Sequence, residues 1–303
     1  MHLKESRGVF VFNCPYCVAA LKKTGEGFTC NKCMASFAPD KNGIYSITKD
    51  KKKLVEEIKR LGKQKPGWYN ESQIVYVTNG PYKWQYIVRK QHLLDEIRRL
   101  YKKKKFNTYL DLGCGDGVNL KDIVDEFGDA FDIYGIDYNY DRLVRAKHFI
   151  KNKNVSLVHV DINEDVIRPN SFDVILFNHV LEHIHDDEGA LKKVHSYLKR
   201  GAHLILGIPQ EGILYFQFRD RVLEPYIMWK TDHVQFYTEG SISEKLKKHK
   251  FKIEKVVRMN YAFPHSIIDK HLRKYKRIHD VFERVGSRFA PGIAGALQIT
   301  CEK

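Results

Sequence analysis

The sequence lacks any apolar run of the roughly 18 residues that a membrane-spanning helix requires. Its first residues include Lys4 and Glu5 and lack the apolar core of a secretory signal peptide. Proline is scarce, with 9 residues in 303, while 43% of the chain is hydrophobic, as in globular proteins with a sizeable core. From these absences we expect a globular chain that resides in the cytoplasm.

Acidic residues are too few to balance the basic ones. The chain has 37 Asp and Glu against 52 Lys and Arg, which gives a formal charge of +15. Such a field favours anionic partners, namely nucleic acid, an acidic membrane surface or a phosphorylated substrate. The other interpretation is a solvated lysine surface, because the basic runs at 51–53 and 102–105 flank predicted helices. Both interpretations fit the composition.

Cysteine is scarce as well, but four of the six cysteines lie in two C-x-x-C pairs. Twelve residues separate Cys14 and Cys17 from Cys30 and Cys33, which is the ligand spacing of a four-cysteine zinc ribbon. A redox site would need one pair only, and disulfides are disfavoured in a reducing cytosol. We therefore predict a structural Zn²⁺ that supplies much of the folding free energy of this small region. The ribbon would serve either acceptor recognition or structure alone.

The chain is organised around a glycine-rich turn that follows a short apolar strand. Residues 107–112 are β-prone and include Asp111, and Gly113, Gly115 and Gly117 then precede an amphipathic helix. A nicotinamide-binding turn would space its glycines G-x-G-x-x-G, to place a pyrophosphate at the helix N-terminus. The G-x-G-x-G spacing and the adjacent carboxylate instead favour a ligand with a cationic amine.

Acidic residues also close the next two predicted strands. Residues 131–137 end in Asp137, about 20 residues beyond the turn, where a carboxylate holds a ribose diol in nucleotide-binding folds. The third strand, 155–160, is followed by Asp161. A fourth strand at 171–178 has the continuous apolar centre of a strand buried on both faces of a parallel sheet.

Segment 111–117 resembles the first motif of the class I S-adenosylmethionine-dependent methyltransferases, and the similarity extends over residues 106–208. The resemblance implies an α/β fold with a doubly wound, seven-stranded Rossmann-like sheet that ends in an antiparallel hairpin at 251–259 and 296–302. It also implies S-adenosylmethionine as the cofactor, with acids on its amine, ribose and adenine amino group. The implied cofactor-binding residues are Asp111, Gly113, Cys114, Gly115, Gly117, Asp137, Tyr138, Asp161, Ile162 and Asn178.

We predict three regions along the chain. They are a zinc ribbon at 1–48, a helical linker and cofactor lid at 49–105, and a methyltransferase domain at 106–303 with insertions at 210–238 and 261–295. In the linker, a helix that includes Leu54 and Ile58 is expected to end at Gly62.

The second insertion carries the pattern of a basic amphipathic helix. Its basic residues are Lys270, Arg273, Lys274, Lys276 and Arg277, and its apolar residues are Ile267, Ile268, Leu272 and Ile278. Such a helix either packs over a sheet edge with its basic face in solvent, lies on an anionic membrane, or contacts phosphates.

Candidate bases lie after the fourth predicted strand. Methyl transfer from a sulfonium needs alignment and a base when the nucleophile carries a proton, and histidine suits that task near neutral pH. We expect His183 or His233 to be the general base, and His179, with Asn178, to contact the methionine end of the cofactor. The predicted catalytic residues are therefore His183, His233 and His179.

These segments resemble a subset of the family, the ubiquinone-pathway O-methyltransferases and the small-RNA ribose methyltransferases. That resemblance implies a divalent metal held by Glu182, His183 and His233 against the acceptor oxygens. His179 stands where the subset has a carboxylate, which disfavours Mg²⁺ because magnesium prefers oxygen ligands. The alternative is a metal-free site in which the Glu-His pair only starts a helix.

The sequence thus predicts an S-adenosylmethionine-dependent methyltransferase that acts on an oxygen or nitrogen acceptor of a small molecule, lipid or glycan. No Asn-Pro-Pro-Tyr-like segment follows the fourth strand, which argues against methylation of adenine or glutamine amino groups. The first alternative is an RNA methyltransferase whose zinc ribbon and basic surface bind RNA. The second is a cofactor-binding scaffold without catalysis. The oligomeric state and the acceptor are not indicated.

Overall fold

The computed structural model of the chain describes residues 11–151, 154–226, 232–263 and 265–303. Within these ranges the chain divides into two units. Unit 1 comprises Met1–Glu71, Lys105–Leu176 and Lys193–His203, and unit 2 comprises Ser72–Lys104, Phe177–Lys192 and Leu204–Lys303. The three regions expected from the sequence stay a prediction.

The amino-terminal part of unit 1 is a small antiparallel sheet. Strands β1 (Leu21–Thr24), β2 (Gly27–Cys30) and β3 (Ser36–Phe37) pair in that order. Phe12 is buried and meets Tyr134 of the larger sheet edge to face. The small sheet agrees with the predicted ribbon.

A fourth short strand leaves this region and joins the large sheet. Strand β4 (Tyr45–Ser46) pairs in parallel with residues 158–159. Thr48 Oγ1 donates to Glu164 Oε1 at 2.6 Å, which anchors the segment beyond the strand. The ribbon is therefore tied to the large sheet by backbone pairing as well as by side chains.

Helix α1 (Lys51–Gln64) begins at Asp50, whose side chain accepts the Lys53 N–H. The expected end at Gly62 is wrong, because the helix continues to Gln64. It ends before Pro66, which disfavours helical geometry at the preceding residue. Gly62 serves close packing instead, since a Cβ there would lie 2.4 Å from the Asn70 side chain.

The rest of unit 1 alternates strands and helices. In chain order these are α2 (Pro66–Tyr69), β5 (Thr108–Leu112), α5 (Val118–Phe127), β6 (Asp132–Asp137), α6 (Tyr140–Ile150), β7 (Val155–His159) and β8 (Phe172–Asn178). The two helices between α2 and β5 belong to unit 2. Strand β5 pairs in parallel with β6 and β8, and β6 with β7. Every residue of β5 is buried. The four strands predicted for this part of the chain are confirmed to within one residue at each end.

Asp173 collects hydrogen bonds at the amino end of β5. Its Oδ2 accepts from the backbone N–H of Asn107 at 3.1 Å and of Thr108 at 3.0 Å. The Thr108 hydroxyl and Lys199 Nζ donate to the same oxygen, each at 2.8 Å. Burial opposes ionisation of Asp173, but these donors outweigh burial and lower its pKa. The network fixes β5 against β8 at this end.

Unit 2 contributes most of the helices. They are α3 (Gln73–Thr78), α4 (Lys83–Lys103), α7 (Asp187–Tyr197, which continues into unit 1), α8 (Leu214–Phe218), α9 (Glu239–Lys248), α10 (Ser266–Arg273) and α11 (Lys276–Phe289). A 3₁₀ turn at Leu181–His183 and a π-helical turn at Arg219–Leu223 lie between them. None of the helices in the described ranges is long and apolar enough to cross a bilayer.

The remaining strands are β9 (Leu198–Pro209), β10 (Lys252–Tyr261) and β11 (Ala294–Glu302). Strands β10 and β11 pair antiparallel, which confirms the expected terminal hairpin. The large sheet has the order β10-β11-β9-β8-β5-β6-β7-β4. It is the doubly wound seven-stranded arrangement predicted from the sequence, with β4 added as a short eighth strand at one edge.

The second insertion departs from its sequence pattern. It forms two helices, α10 and α11, where one basic helix was expected. Arg273 is fully buried and pairs with Asp269, so it is not part of a basic face. Ile267 and Ile268, which would be buried if the helix packed over a sheet edge through its apolar residues, are 53% and 44% exposed. A helical repeat of apolar and basic residues does not reveal which side meets the protein.

Candidate functional site

The glycine turn in unit 1 lies between β5 and α5. Gly113, Gly115 and Gly117 all have positive φ, at 79°, 54° and 76°, which side-chain-bearing residues rarely adopt. At Gly117 a Cβ would also lie 2.8 Å from Ala146 Cβ. The turn therefore requires glycine for its backbone and for the close approach of α6.

Asp111, at the carboxyl end of β5, is buried with one oxygen unsatisfied. Its Oδ2 has no hydrogen-bond partner within the described part of the chain. Burial raises the pKa of Asp111 to about 8, and the charge of the nearby Asp137 adds to this. A buried carboxyl group with an unpartnered oxygen is stabilised in its charged form when a cation binds beside it. The α-ammonium group of an amino-acid-like ligand would fit that requirement.

Asp137 ends the adjacent strand β6 and is held by two backbone donors. Its Oδ2 accepts from Gly115 N–H and its Oδ1 from Asn139 N–H, both at 2.8 Å. Burial raises its pKa, against the opposing effects of Arg142 and of these two N–H groups. Each oxygen keeps a further lone pair, so the carboxylate can still accept from vicinal hydroxyls.

The other expected cofactor residues of unit 1 follow β6 and β7. The Tyr138 carbonyl accepts from His159 Nε2 at 3.0 Å, and Asp161 Oδ1 accepts from Asn163 N–H at 2.8 Å. Asp161 and Ile162 are partly exposed. Cys114 is buried, and burial raises the pKa of its thiol well above the usual range, so the thiol stays neutral.

Helix α2 contacts Asn139, which lies between β6 and α6. Tyr69 is 5% exposed, and its carbonyl accepts from Asn139 Nδ2 at 3.4 Å. Asn139 is the residue whose N–H holds Asp137. The part of the expected lid that belongs to unit 1 therefore lies against the end of β6.

In unit 2 the end of β8 leads into a chain of three polar side chains. His179 has a positive φ of 54° and follows Asn178, whose side chain lies against Gly207. Arg89 Nη1 lies 2.9 Å from His179 Nε2, and His179 Nδ1 lies 3.2 Å from Glu182 Oε1. Because arginine only donates, Nε2 of His179 accepts and its Nδ1–H donates to Glu182. His179 is thus held between Arg89 and Glu182.

Two further histidines surround the same glutamate. The rings of His183 and His233 are 4.9 Å apart at 70°. His183 Nδ1 lies 3.1 Å from the Asp232 carbonyl, and His233 Nδ1 lies 2.6 Å from Glu211 Oε2. In both rings the proton therefore lies on Nδ1, and the basic lone pair of the neutral ring lies on Nε2.

The pKa values of these groups are shifted in different directions. Burial lowers the pKa of His183, against the opposing charge of Glu182. Burial also acts to lower the pKa of His233, but the hydrogen bond and charge of Glu211 outweigh it and raise the pKa. Burial of Glu182 is likewise outweighed, by the hydrogen bond from His179 and the nearby histidines, so its pKa is lowered. His183 is the better candidate for a general base, because a ring with a lowered pKa is neutral near pH 7 and can accept a proton.

Glu182, His183 and His233 each present a ligand atom within 4.8 Å of the others. One carboxylate oxygen and two imidazole nitrogens suit Zn²⁺, Mn²⁺ or Fe²⁺ better than Mg²⁺. Glu182 Oε2 is buried with no hydrogen-bond partner among the described residues, so it has a free lone pair for a cation. The donor set therefore fits a transition metal.

The sequence did not indicate Arg89 or Glu211. Arg89 is one of several basic residues in α4, and Glu211 lies in an insertion without a motif. Their partners lie 90 and 22 residues away in sequence. Only the folded chain brings them to the histidines.

The four cysteines of the ribbon converge in unit 1. Their Sγ atoms all lie within 4.8 Å of one another, with Cys14–Cys33 at 3.5 Å and Cys17–Cys30 at 3.4 Å, too long for disulfides. The backbone N–H of Cys33 is the largest influence on Cys30 and helps to lower the pKa of its thiol to about 6. Tetrahedral thiolate coordination of Zn²⁺ fits this group.

The two cysteine pairs have the same backbone geometry. Val18 N–H donates to the Cys14 carbonyl and Met34 N–H to the Cys30 carbonyl, both at 2.8 Å. Val18 and Met34 also share a positive φ, at 59° and 61°. Each C-x-x-C pair is therefore closed by an equivalent turn, as two knuckles around one ion require.

Comparison with known proteins gives one family match that covers more than half of the chain. The model of the family described as Methyltransferase domain matches residues 84–256. The chain is 28% identical over 119 residues to phosphoethanolamine N-methyltransferase 2 of Caenorhabditis elegans, which covers 38% of this chain and 27% of that protein. It is 26% identical over 149 residues to the ubiquinone biosynthesis O-methyltransferase of Haemophilus ducreyi, covering 45% and 58%.

A solved structure shows the same fold. The phosphoethanolamine N-methyltransferase 2 of Haemonchus contortus, in complex with S-adenosylhomocysteine, superposes with a TM-score of 0.52 at 20% identity. The alignment covers 70% of this chain and 52% of that chain. The chain thus spans only between about a quarter and three fifths of the lengths of these relatives.

Proposed function

The chain belongs to the methyltransferase domain family, and from that premise we propose that it transfers a methyl group from S-adenosylmethionine to an oxygen or nitrogen acceptor of a small molecule or lipid. A glycan acceptor remains within this proposal. The relatives are named for phosphoethanolamine and for ubiquinone biosynthesis, a small polar molecule and a lipid. The alternatives of an RNA methyltransferase and of an inactive scaffold are not favoured by these relatives.

The unsatisfied carboxylate of Asp111 is the observation that carries the proposal. A buried acid with one unpartnered oxygen, beside a turn of three positive-φ glycines, suits the α-ammonium of the donor. Asp137 would accept from the ribose hydroxyls. Tyr138, Asp161 and Ile162 would serve the adenine ring, and Asn178 the methionine end, as their positions in the motif imply.

Calorimetry with S-adenosylhomocysteine tests this part. Because the pKa of Asp111 is raised to about 8, the free protein carries a proton there near pH 7. Binding of the ammonium group should expel that proton, so the measured enthalpy should depend on the ionisation enthalpy of the buffer. Absence of binding would reject the proposed donor.

His183 would act as the general base. Its proton lies on Nδ1, held by the Asp232 carbonyl, so Nε2 would accept the acceptor proton as the S–CH₃ bond breaks and the new O–CH₃ or N–CH₃ bond forms. The electron pair of the broken bond stays on sulfur. His233, whose pKa is raised, would be the second candidate. His179 is engaged by Arg89 and would position Glu182 instead.

A second candidate for this cluster is a divalent metal. Glu182, His183 and His233 would hold it, and a bound ion would polarise acceptor oxygens. His183 cannot be both ligand and base, so the two candidates make opposite predictions for a chelator. Loss of turnover with EDTA, restored by Mn²⁺ or Zn²⁺, would favour the metal, whereas unchanged turnover would favour the base.

The four cysteines would hold a structural Zn²⁺. Elemental analysis of the purified chain should find one zinc per molecule. Cys30→Ser, which removes one thiolate, should release the metal and unfold the ribbon. Lys59→Glu, on the surface of α1, is the control that should keep the zinc.

The acceptor is best approached with labelled donor. Incubation of the protein with S-[methyl-³H]adenosylmethionine and fractionated cell extract should place label in the small-molecule or lipid fraction. Label confined to the RNA fraction would instead favour the RNA alternative.

A further inference from the structure

Helix α11 exposes a line of apolar side chains. Val281, Val285 and Phe289 are 54%, 48% and 73% exposed. They are four residues apart, so they lie on one side of the helix. His279 and Gly286, on the other side, are buried. The helix is therefore packed through one face and leaves a second apolar face outside.

Three arginines border this line. Arg277, Arg284 and Arg288 are exposed and, at about 100° per residue, fall together along one edge of the apolar line. The acidic residues of the helix do not cancel them. Asp280 pairs with Lys276, and Glu283 accepts the backbone N–H groups of Asn260 and Tyr261. The outer face of α11 is thus apolar and positively charged.

The first insertion of unit 2 repeats the pattern. Leu214, Phe218 and Val222 are 87%, 56% and 62% exposed and are again four residues apart. This segment is bonded to the start of α10, since Ser266 N–H donates to Glu224 Oε2 at 2.6 Å. Helix α10 itself exposes Ile267, Ile268 and Lys270, and the exposed Lys274 follows its last residue.

We propose that the exposed apolar side chains of α8, α10 and α11, with the bordering basic residues, form a docking surface for an anionic membrane. We call it the insertion face. The apolar side chains would enter the boundary between headgroups and acyl chains, and the arginines and lysines would meet lipid phosphates. A large apolar surface bordered by basic residues is the pattern of peripheral membrane binding.

A nucleic acid is the weaker match. Binding to RNA uses basic residues and aromatic stacking, and exposed valine, isoleucine and leucine add nothing to either. The insertion face is mainly aliphatic, with Phe218 and Phe289 as its exposed phenylalanines within α8, α10 and α11. The proposal goes beyond methyl transfer and is independent of it, because no step of donor binding uses these residues.

Vesicle flotation of the full chain tests the apolar part. The protein should float with vesicles of phosphatidylcholine and phosphatidylserine, bind less to phosphatidylcholine alone, and bind less at high salt. Val281→Asp with Val285→Asp should lower the partition coefficient at least about tenfold, because two charges would enter the apolar boundary. Val75→Asp is the matched control, since Val75 is a 61% exposed valine in α3. Equal loss in both variants would overturn the proposal.

Charge reversal tests the basic part. Arg277→Glu with Arg288→Glu should lower binding to the anionic vesicles at least about tenfold. Lys52→Glu with Lys59→Glu, an equal charge change on exposed lysines of α1, should change it far less. Equal affinity for neutral and anionic vesicles, or no binding to either, would overturn the proposal.

Fluorescence anisotropy with a labelled single-stranded RNA separates the two anionic partners. Binding that is lost in the arginine variant and kept in the valine variant, without vesicle binding, would assign the face to RNA. The valine and arginine variants of the insertion face should retain the wild-type unfolding temperature and affinity for S-adenosylhomocysteine. Failure of donor binding in the wild-type chain would reject the proposed function and leave the vesicle result untouched.

Discussion

Two buried carboxylates, Asp111 in unit 1 and Glu182 in unit 2, differ in their electrostatic surroundings. Each has one oxygen without a hydrogen-bond partner among the described residues. Asp111 lies near Asp137, and its pKa is raised to about 8, whereas Glu182 is bordered by histidines and its pKa is lowered. The first site therefore requires a cation from outside before it ionises fully. The second has its pKa lowered, against burial, by the hydrogen bond from His179 and by the nearby histidines, so it is charged without a ligand.

Removal of His183, a histidine next to Glu182, should have the largest effect on activity. His183→Ala should lower kcat by roughly 10²- to 10⁴-fold, the contribution of a general base. Affinity for S-adenosylhomocysteine should stay unchanged. His148→Ala, at an exposed position on α6, is the control in a steady-state methylation assay. Full activity of the His183 variant would exclude it as base and as metal ligand.

Neutralisation of Asp111 tests the other carboxylate of the comparison, in unit 1. Asp111→Asn should weaken binding of S-adenosylhomocysteine about 10- to 100-fold, because a charge-assisted hydrogen bond to the ammonium is lost. It should also abolish the proton release seen by calorimetry.

The same substitution predicts the sign of a stability change. A carboxyl whose pKa is raised in the folded state binds more protons there than in the unfolded state, so the free wild-type protein loses stability as pH rises from about 4 to 8. Asp111→Asn should lack this loss and unfold at a higher temperature than wild type at pH 8. A lower unfolding temperature would show that Asp111 already has a partner.

The sequence predicted Asp111 and Asp137 because a strand end and a glycine turn are both local patterns. It also placed β5 and β6 to within one residue. In this segment the strand pattern, the glycines and the helix pattern follow one another within a few residues, so each can be recognised from local sequence. The elements that carry Asp111 and Asp137 could therefore be predicted from the local sequence, and their role in donor binding stays a prediction.

The Glu182 side was only partly predictable. The sequence indicated His179, His183 and His233 as candidates, but Arg89 determines which nitrogen of His179 carries the proton, and Glu211 shifts His233. These contacts depend on tertiary packing. Arg273 shows the same limit, because its burial against Asp269 reverses the role its helical pattern indicated.

Removal of Arg89 should have a smaller effect than the two substitutions above. Arg89→Met frees His179 Nε2 and should lower kcat about tenfold by loosening Glu182. Arg89→Lys should restore part of the activity, because lysine can still donate to Nε2. A positioning role also predicts a changed pH–rate profile, which a merely structural role would not produce. An unchanged profile with lowered unfolding temperature would refute the positioning role.

The smallest effect should come from Glu211→Gln. Loss of this carboxylate lowers the pKa of His233, so His233 becomes neutral near pH 7 and no longer lowers the pKa of His183. The acidic limb of the pH–rate profile, which requires neutral His183, should move to higher pH by less than about one unit. Glu244→Gln, at an exposed position on α9, should leave the limb in place. A shift to lower pH would contradict His183 as the base.

The hydrogen bonds at Asp173 bear on the position of Asp111, the proposed partner of the donor amine. Side chains alternate between the two faces of a strand, so a slip of one residue between β5 and β8 would turn Asp111 to the opposite face of the sheet. Asp173 prevents that slip by holding Asn107 and Thr108 at the far end of β5. A carboxylate at the amino end of β5 thus fixes the register of the strand that carries Asp111, and substitutions at Asp173 should weaken donor binding by moving Asp111 rather than by removing a contact of the proposed site.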